Sequence, residues 1–324
     1  HMLQPCDTRA MLIVPPEFPF IHGGGFRLNL VAPASGEDYA GYAGITNSQG
    51  ASRITGFHVV VGDMSVADGC GGSGPVRTAV YFDPDREPRS GVPRGNVGEN
   101  VVETQGSARF CNGIEYVGTN PYIGNPYKQV GVTSNHIMAN SYEGIGIWMA
   151  NINLSDLNDQ VKNEFAFVDH NIVEASDSPC AVGVLVGPNV ERPIVEDNLV
   201  HASGAPCPDP DSGSERTVGI AVLDSGRDMD SSLGPTYDFL TARSAELSGN
   251  TVHTGGDGSI GILVVGATDA ETTKNQVTAG DGADFAVCVE TGSNFAEVKK
   301  GSDYLGFNAG NEVVFTADCG AALP

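Results

Sequence analysis

Basic residues are scarce in this chain of 324 residues. It contains 17 Lys and Arg against 40 Asp and Glu, which gives a formal net charge of -23 at pH 7. A field of this sign repels nucleic acids and anionic membrane surfaces, so we expect no nucleic-acid partner. It also disfavours binding of polyanionic glycans, unless bound Ca²⁺ or a local basic cleft makes the field positive at the binding site. Neutral glycans are therefore favoured as ligands over polyanionic ones. Adaptation to solubility, for example in salty surroundings, is the alternative explanation of the acidity.

Long apolar runs and helical patterns are also absent. The chain has no run of about eighteen apolar residues, so the sequence predicts no membrane span. Apolar residues spaced three and four apart, which mark an amphipathic helix, do not recur, and we expect little helix. The chain begins with His1-Met2, which looks like a cloning remnant. Whether a signal peptide precedes the natural protein therefore stays open.

The chain does contain a motif that recurs along most of its length. An Asn is followed two positions later by an aliphatic residue, and roughly eleven residues after that by a Gly flanked by aliphatic residues. The first halves are Asn100/Val102, Asn135/Ile137, Asn171/Val173, Asn198/Val200, Asn250/Val252 and Asn275/Val277. The second halves are Gly113-Ile114, Gly146-Ile147, Gly183-Val184, Gly219-Ile220 and Gly261-Ile262, with Ala286-Val287 in the last unit. The Asn residues lie 35, 36, 27, 52 and 25 positions apart, which indicates a solenoid unit of about 25 residues with inserted loops.

Short strands make up each unit. Residues 182–186 and 260–264 are aliphatic except for Gly and rich in β-branched side chains, as in buried strands. A further strand precedes each Asn, as in residues 165–168, 192–195 and 245–247. Three short strands form one triangular coil, and coils stack through parallel strands about 4.8 Å apart. The repeated Asn then lies at a corner, where its amide can bond to the Asn above and below.

This pattern resembles the right-handed parallel β-helix proteins, the pectin-lyase-like superfamily that includes pectate lyases, polygalacturonases, alginate epimerases and phage tailspikes. The resemblance covers residues from about 95 to about 315 and implies an all-β, single-stranded, right-handed solenoid. We place the regular coils there, within a β-helix of residues 51–324, and interpret the Pro- and Gly-rich residues 1–50 as an irregular N-terminal cap. The repeated residues build the coil and carry no chemistry, so the resemblance leaves the activity open.

Seven cysteines without a C-x-x-C pair favour disulfides and an exported protein. Cys180 and Cys207 each lie nine residues after a repeated Asn, so they occupy the same position in adjacent coils. Stacked positions are close enough for a disulfide, which we predict for this pair. Proximity in the chain suggests two more pairs, Cys70 with Cys111 and Cys288 with Cys319, with Cys6 left over and buried free thiols as the alternative.

The candidate catalytic residues lie on the outer surface of the coils. Because the aliphatic residue two after each Asn points inward, the residue three after it points outward. Three consecutive coils carry Glu174, His201 and His253 at this position. A carboxylate beside two imidazoles can transfer protons or bind a metal ion. In the superfamily that this sequence resembles, active sites lie on the outer surface of the parallel sheets. We name these three as candidate catalytic residues and His170 as a candidate ligand contact, with a polar solvated face as the alternative.

One coil carries the longest late insertions, at residues 202–217 and 224–243. Long insertions in a solenoid are usually its functional, variable part, so we expect these two to wall a groove over the outward column. The first contains Asp209, Asp211 and Glu215 around a Gly, and such acidic oxygens can ligate Ca²⁺. We name these three as candidate metal ligands. They do not match the full Ca²⁺-binding loop, and a solvated acidic loop is the alternative.

A second outward position, two after the repeated Gly, is mostly apolar. Along the stack it reads Glu115, Trp148, Leu185, Ala221, Leu263 and Cys288. An aligned apolar row must be covered by a loop, a partner or a ligand. We expect the chain itself to cover it and the protein to be a monomer, with a homotrimer packed along the row as the alternative. Trp148 and Arg192 are named as further candidate ligand contacts, the latter as a replacement for the basic residue of a pectate-lyase-like mechanism.

Together these features predict an exported β-helix protein, secreted, periplasmic or at the cell surface, that binds or acts on polysaccharide or a cell-surface glycan. If it is an enzyme, we expect a hydrolase or lyase in which Glu174 is acid or base and His201 and His253 position or exchange protons. The alternative is a non-catalytic surface, adhesion or structural module. The Asp clusters usual in hydrolases of this superfamily do not occur at equivalent repeat positions, so the reaction stays open. Ca²⁺ is the cofactor that the acidic loops would accommodate.

Overall fold

The structure is a computed structural model. It describes residues 6–8, 10–14, 20–30, 40–47, 53–61, 78–82, 96–106, 112–117, 131–141, 144–150, 163–164, 167–176, 181–187, 190–191, 193–204, 216–223, 245–265, 268–290, 294–298, 302–316 and 319. These residues form strands joined by turns and include no helix, so no helix among them is long and apolar enough to cross a membrane.

The strands are numbered in chain order. In the first half they are β1 (Cys6–Thr8), β2 (Ala10–Val14), β3 (Phe20–Leu30), β4 (Ala40–Asn47), β5 (Arg53–Val61), β6 (Thr78–Phe82), β7 (Asn96–Gly98), β8 (Val101–Gly106), β9 (Asn112–Val117), β10 (Gly131–Thr133), β11 (His136–Ser141), β12 (Ile145–Ala150), β13 (Asn163–Glu164), β14 (Phe167–Asp169) and β15 (Ile172–Ala175). In the second half they are β16 (Val182–Val186), β17 (Val190–Glu191), β18 (Ile194–Glu196), β19 (Leu199–Ser203), β20 (Val218–Leu223), β21 (Glu246–Ser248), β22 (Thr251–Gly255), β23 (Ile260–Val265), β24 (Thr268–Thr273), β25 (Gln276–Ala279), β26 (Phe285–Glu290), β27 (Asn294–Val298), β28 (Asp303–Leu305) and β29 (Val313–Thr316).

These strands stack as three faces of a parallel β-helix. Among the described residues, a seventeen-stranded sheet bends at one corner, and we call the strands before the corner face 1 (β7, β10, β14, β18, β21, β24, β27) and those after it face 2 (β8, β11, β15, β19, β22, β25, β28). Face 3 is the sheet that the described strands form in the order β2-β4-β6-β9-β12-β16-β20-β23-β26-β29. Neighbouring strands in all three faces pair in parallel, as in β14 with β18 and β15 with β19. The predicted all-β solenoid is confirmed.

The six repeated Asn residues form a buried ladder at the corner between faces 1 and 2, as predicted. The side-chain amide of each of the first five donates to the side-chain oxygen of the next Asn over 2.9–3.0 Å. The same oxygen accepts the backbone N–H of the preceding Asn, as Asn198 does from Asn171 at 2.9 Å. The members are Asn100, Asn135, Asn171, Asn198, Asn250 and Asn275, none more than 2% exposed. The ladder satisfies backbone groups that the turn would otherwise leave buried without a partner.

The residue just before each ladder Asn has a left-handed backbone. Five of these are not Gly, namely Glu99, Ser134, His170, Asp197 and Lys274, with φ between 52° and 57°. The ladder holds this conformation, because Asn171 Nδ2 donates to the carbonyl oxygen of Asp169, two residues earlier, at 3.1 Å. Asn198 makes the same bond to Glu196 at 2.9 Å. All five side chains at this corner position are exposed to solvent.

The repeated Gly and the repeated aliphatic residue belong to one packing contact. A Cβ on Gly183 would lie 2.4 Å from a methyl group of Val200, which follows the ladder Asn of the next coil, and 2.6 Å from the carbonyl oxygen of Gly219. Equivalent clashes would arise at Gly113, Gly146, Gly219 and Gly261. The spacing between the repeated Gly and the repeated aliphatic residue therefore reflects a packing contact between adjacent coils, in which the aliphatic side chain fills the space that the Gly leaves open.

Strands of the sheets already occur within residues 1–50, where the sequence predicted an irregular cap. Parallel pairing joins β3 to β5 and β4 to β6, and Leu28 and Leu30 are buried in the core. Two features hide the repeat in the sequence. The glycines at 23–25 interrupt the pairing between His22 and Phe26, and Phe57 takes the place of a ladder Asn, its N–H donating to Asn100 Oδ1 at 3.0 Å.

A second hydrophobic cluster lies on the outer side of face 3. The predicted apolar row is buried there within the single chain, with Leu185, Ala221, Leu263 and Cys288 at most 1% exposed. A neighbouring row that the sequence reasoning missed belongs to the same cluster, namely Ile145, Val182, Val218 and Ile260. The chain itself covers this surface, as expected, so the row gives no reason to expect a trimer. The oligomeric state stays a prediction.

Cys319 belongs to this cover. It forms a disulfide with Cys288, with a Cα–Cα distance of 5.8 Å, which confirms the pairing suggested by their proximity in the chain. The other predicted pairs, Cys180 with Cys207 and Cys70 with Cys111, lie outside the described residues, as does the side chain of Cys6.

Candidate functional site

The predicted outward column is present on face 2. Glu174, His201 and His253 occupy equivalent positions on β15, β19 and β22, which are neighbouring parallel strands. The residues before them, Val173, Val200 and Val252, are buried, because side chains alternate between the two sides of a strand. His201 is exposed and His253 is partly buried. Their ring centroids are 4.8 Å apart and the rings meet edge to face.

Glu174 contacts a histidine that the sequence reasoning did not single out. His136 Nε2 lies 3.2 Å from Glu174 Oε1, and the two side chains are 40% and 45% exposed. His136 is the first residue after the ladder in one coil, and Glu174 is the third residue after it in the next. The same diagonal contact joins His58 to Glu103 at the start of the solenoid. The repeated His–Glu relation was a usable signal, but Phe57 in place of Asn concealed it.

The environment of His253 favours its neutral form. Burial lowers the pKa of His253, and the charge of the neighbouring His201 lowers it further. Near neutral pH, one ring nitrogen of His253 therefore accepts a hydrogen bond or a proton while the other donates. Because His201 is adjacent in the column, face 2 presents two imidazoles with different surroundings.

Apolar side chains lie beside this column on face 2. Ile172 and Leu199 occupy the first position after the ladder in adjacent coils and are 40% and 47% exposed. In the preceding coil the same position carries His136. The outer surface of face 2 thus combines a carboxylate, several imidazoles and exposed aliphatic groups.

Another group of titratable side chains lies where face 1 meets the corner. We call Asp169, His170 and Asp197 the corner cluster. His170 Nδ1 contacts Asp169 Oδ1, and His170 Nε2 is 4.0 Å from Asp197 Oδ2. The hydrogen bond to Asp169 raises the pKa of His170; burial opposes this, and the charges of Asp169, Asp197 and Glu196 add to the rise. Burial and the nearby carboxylates also raise the pKa of Glu196.

The remaining predicted site residues fall elsewhere. Trp148 lies on the outer side of face 3, where Nε1 donates to the carbonyl oxygen of Gly187 at 3.0 Å. It packs against the second hydrophobic cluster and is not part of the surface that carries Glu174. Arg192, the candidate Ca²⁺ ligands Asp209, Asp211 and Glu215, and most of the two insertions lie outside the described residues.

No protein-family model matches the sequence, and no curated protein sequence matches it significantly. Among solved structures, the chain is similar to the Dettilon tailspike protein (gp208), with 14% identity and a TM-score of 0.40. That alignment covers 93% of this chain but 60% of the tailspike chain. The chain is also similar to the Streptococcus pneumoniae surface protein and adhesin PfbA, with 8% identity, a TM-score of 0.35 and coverage of 94% and 91%. Its own strand pairing and Asn ladder identify the chain as a parallel β-helix protein.

Proposed function

We propose that this protein is exported and binds a polysaccharide along the outer surface of face 2. The observation that carries the proposal is the column of Glu174, His201 and His253, which are in register on three consecutive strands and accessible to solvent. Consecutive strands are about 4.8 Å apart, so the column repeats contacts along a straight line. A linear chain of sugar units is a ligand that can use such a line.

The chemistry of the surface suits sugar rings. A carboxylate accepts hydrogen bonds from hydroxyl groups, and a neutral imidazole both donates and accepts them. Ile172 and Leu199 offer exposed apolar surface for the C–H faces of the rings. A few placed polar groups beside apolar surface are typical of small-molecule and sugar sites.

The net charge of the chain indicates the class of ligand, and the disulfide bears on where the protein is located. The net charge of -23 disfavours a polyanionic chain, so we propose a neutral polysaccharide or cell-surface glycan. The Cys288–Cys319 disulfide supports export, since disulfides persist in oxidising compartments.

Cleavage of the bound chain is a second candidate, favoured by the contrast between Glu174 and His253. Hydrolysis by two carboxylates would need a second acidic group across the sugar bond. The described column contains one other carboxylate, Glu103, two strands away, and it contacts His58. Proton transfer between a carboxyl group and a neutral imidazole suits this arrangement better. In this reading a water molecule attacks the sugar carbon and gives its proton to His253, while Glu174, which contacts His136, enters in its protonated form and gives a proton to the departing glycosidic oxygen.

Binding is tested by calorimetry with a panel of neutral and acidic polysaccharides, with and without Ca²⁺. We expect His201→Ala and Glu174→Gln to weaken binding of the preferred neutral glycan about tenfold or more, since each removes hydrogen bonds to the ligand. Gln276→Ala is the matched control, because Gln276 is exposed on the same face but outside the column. Unfolding curves confirm that the variants remain folded.

Two results would contradict the proposal. One is a panel in which no glycan binds. The other is binding that His201→Ala and Glu174→Gln leave at the level of Gln276→Ala. Product release from a bound glycan, lost in Glu174→Gln, would support cleavage, whereas binding without products would favour an adhesion or surface module.

A further inference from the structure

We propose that the corner cluster of Asp169, His170 and Asp197 binds one divalent transition-metal ion. One ligand atom from each of the three residues lies within 4.8 Å of the others. The cluster lies on the far side of the ladder from Glu174, and the proposal is independent of glycan binding.

The fold places these three side chains together. Asp169 is the last residue of β14, and His170 and Asp197 are the left-handed corner residues of two adjacent coils, with φ of 53° and 52°. Their backbone is fixed by the Asn171–Asn198 step of the ladder. The side chains are exposed enough for small rotations to bring their ligand atoms onto one ion. A rigid backbone lowers the entropic cost of gathering the ligands around one ion.

The donor set selects the kind of ion. Imidazole nitrogen together with carboxylate oxygen suits Zn²⁺ and its neighbours in the first transition series. Ca²⁺ takes oxygen ligands almost exclusively, so replacing one oxygen by an imidazole disfavours it. This separates the corner cluster from the acidic loop for which the sequence suggested Ca²⁺.

The surrounding charge also favours a cation. Glu196 lies beside the cluster, because it precedes Asp197 in the chain and pairs in register with Asp169 on the neighbouring strand, so a third carboxylate adds to the negative charge there. Within the described part of the chain, neither Lys nor Arg forms an ion pair with these carboxylates. The imidazole of His170 is the group that both Asp169 and Asp197 face. A metal ion on that imidazole would neutralise two carboxylates at once.

The experiment titrates Zn²⁺ into protein that has been stripped with a chelator, with calorimetry for affinity and imidazole NMR signals to identify the histidine that binds. We expect one ion per chain and perturbation of His170 first. His170→Asn and Asp197→Asn should each weaken binding by about tenfold or more. Asn is chosen because it tolerates the left-handed backbone at these two positions, so the variants should keep the corner intact.

His22→Ala is the control for adventitious binding to a histidine elsewhere, since His22 contacts Thr55 far along the solenoid. It should leave affinity unchanged. The proposal fails if no Zn²⁺ binds up to millimolar concentration, or if His170→Asn binds as tightly as the natural sequence. It also fails if His201→Ala, and not His170→Asn, removes the ion, because the site would then be the imidazole pair on face 2. Ca²⁺ binding with equal affinity would contradict the choice of ion.

Discussion

The outer sides of face 2 and face 3 are built on the same parallel coils but have different surroundings. Leu263 on face 3 is fully buried, whereas Leu199 on face 2 is 47% exposed. Face 3 carries a second hydrophobic cluster under a cover that includes the Cys288–Cys319 disulfide. Face 2 carries titratable and aliphatic side chains that reach solvent. An outward position in a solenoid therefore has no fixed role, and what lies over it decides whether it supports stability or is available to a ligand.

The interior shows why the two sides can differ. The ladder Asn, the aliphatic residue after it and the repeated Gly recur because each coil must fit the next. Outward residues are free of this requirement. On face 3 the outward residues pack together in the second hydrophobic cluster. On face 2 the outward residues differ from coil to coil, as in Glu174, His201 and His253. Departures from the repeat, and not the repeat itself, therefore distinguish one outer face from another.

The largest expected effect comes from opening the cover of face 3. The Cys288–Cys319 disulfide closes a loop of 31 residues. By the loop-entropy estimate, Cys288→Ala/Cys319→Ala should lower the free energy of unfolding by about 4 kcal/mol. Urea unfolding of the double variant and of the reduced natural protein measures this. A double variant that unfolds at the same urea concentration as the oxidised natural protein would show that the disulfide does not hold the cover.

A pair of identical substitutions on the two faces gives the next largest effect. Leu263→Ala should cost about 3 kcal/mol, because it leaves a cavity in the second hydrophobic cluster. Leu199→Ala should stay within about 0.5 kcal/mol, because the side chain is already half in water. Denaturant midpoints of the two variants, measured side by side, test the contrast. Equal losses would mean that face 2 is also covered, which would remove the surface proposed to bind glycan.

Much of this architecture could be predicted from the sequence. The Asn spacing sets the coil register, and the register places Glu174, His201 and His253 in one column. These predictions succeed because the ladder and the Gly contact impose one residue type at one position. The N-terminal strands could not be predicted from the repeat, because the glycines at 23–25 interrupt the strand pairing and Phe57 replaces the ladder Asn.

Contacts between side chains of different coils were harder to predict. His136 reaches Glu174 diagonally across two strands, and the corner cluster combines positions one and two before the ladder Asn. The first depends on side-chain rotamers across two paired strands, and the second depends on side-chain direction at a left-handed corner. A count of inward and outward positions contains neither. Whether the apolar row on face 3 is buried depends on residues that are distant in the chain. The local sequence pattern does not predict which residues these are.

The smallest expected effect concerns pH and contrasts His253, within the column of face 2, with His170, at its corner. In metal-free protein, the hydrogen bond to Asp169 raises the pKa of His170, so its contribution to stability is fully present below the ordinary His value of about 6.5 and is lost as pH rises through the raised pKa. Burial lowers the pKa of His253, so its contribution is present above about 6.5 and is lost as pH falls through the lowered pKa.

The two histidines should therefore respond to pH with opposite sign. His170→Asn should destabilise the protein chiefly at acid pH, whereas His253→Asn should relieve a destabilisation there. Both effects should be well below those on face 3, because solvent screens partly exposed groups. NMR titration of the assigned imidazoles, with thermal unfolding from about pH 5 to pH 8, measures the order of the two pKa values and the sign of each effect. Should His253 titrate above His170, the burial inferred for the outward column would be incorrect, and with it the neutral imidazole on which proton transfer at Glu174 depends.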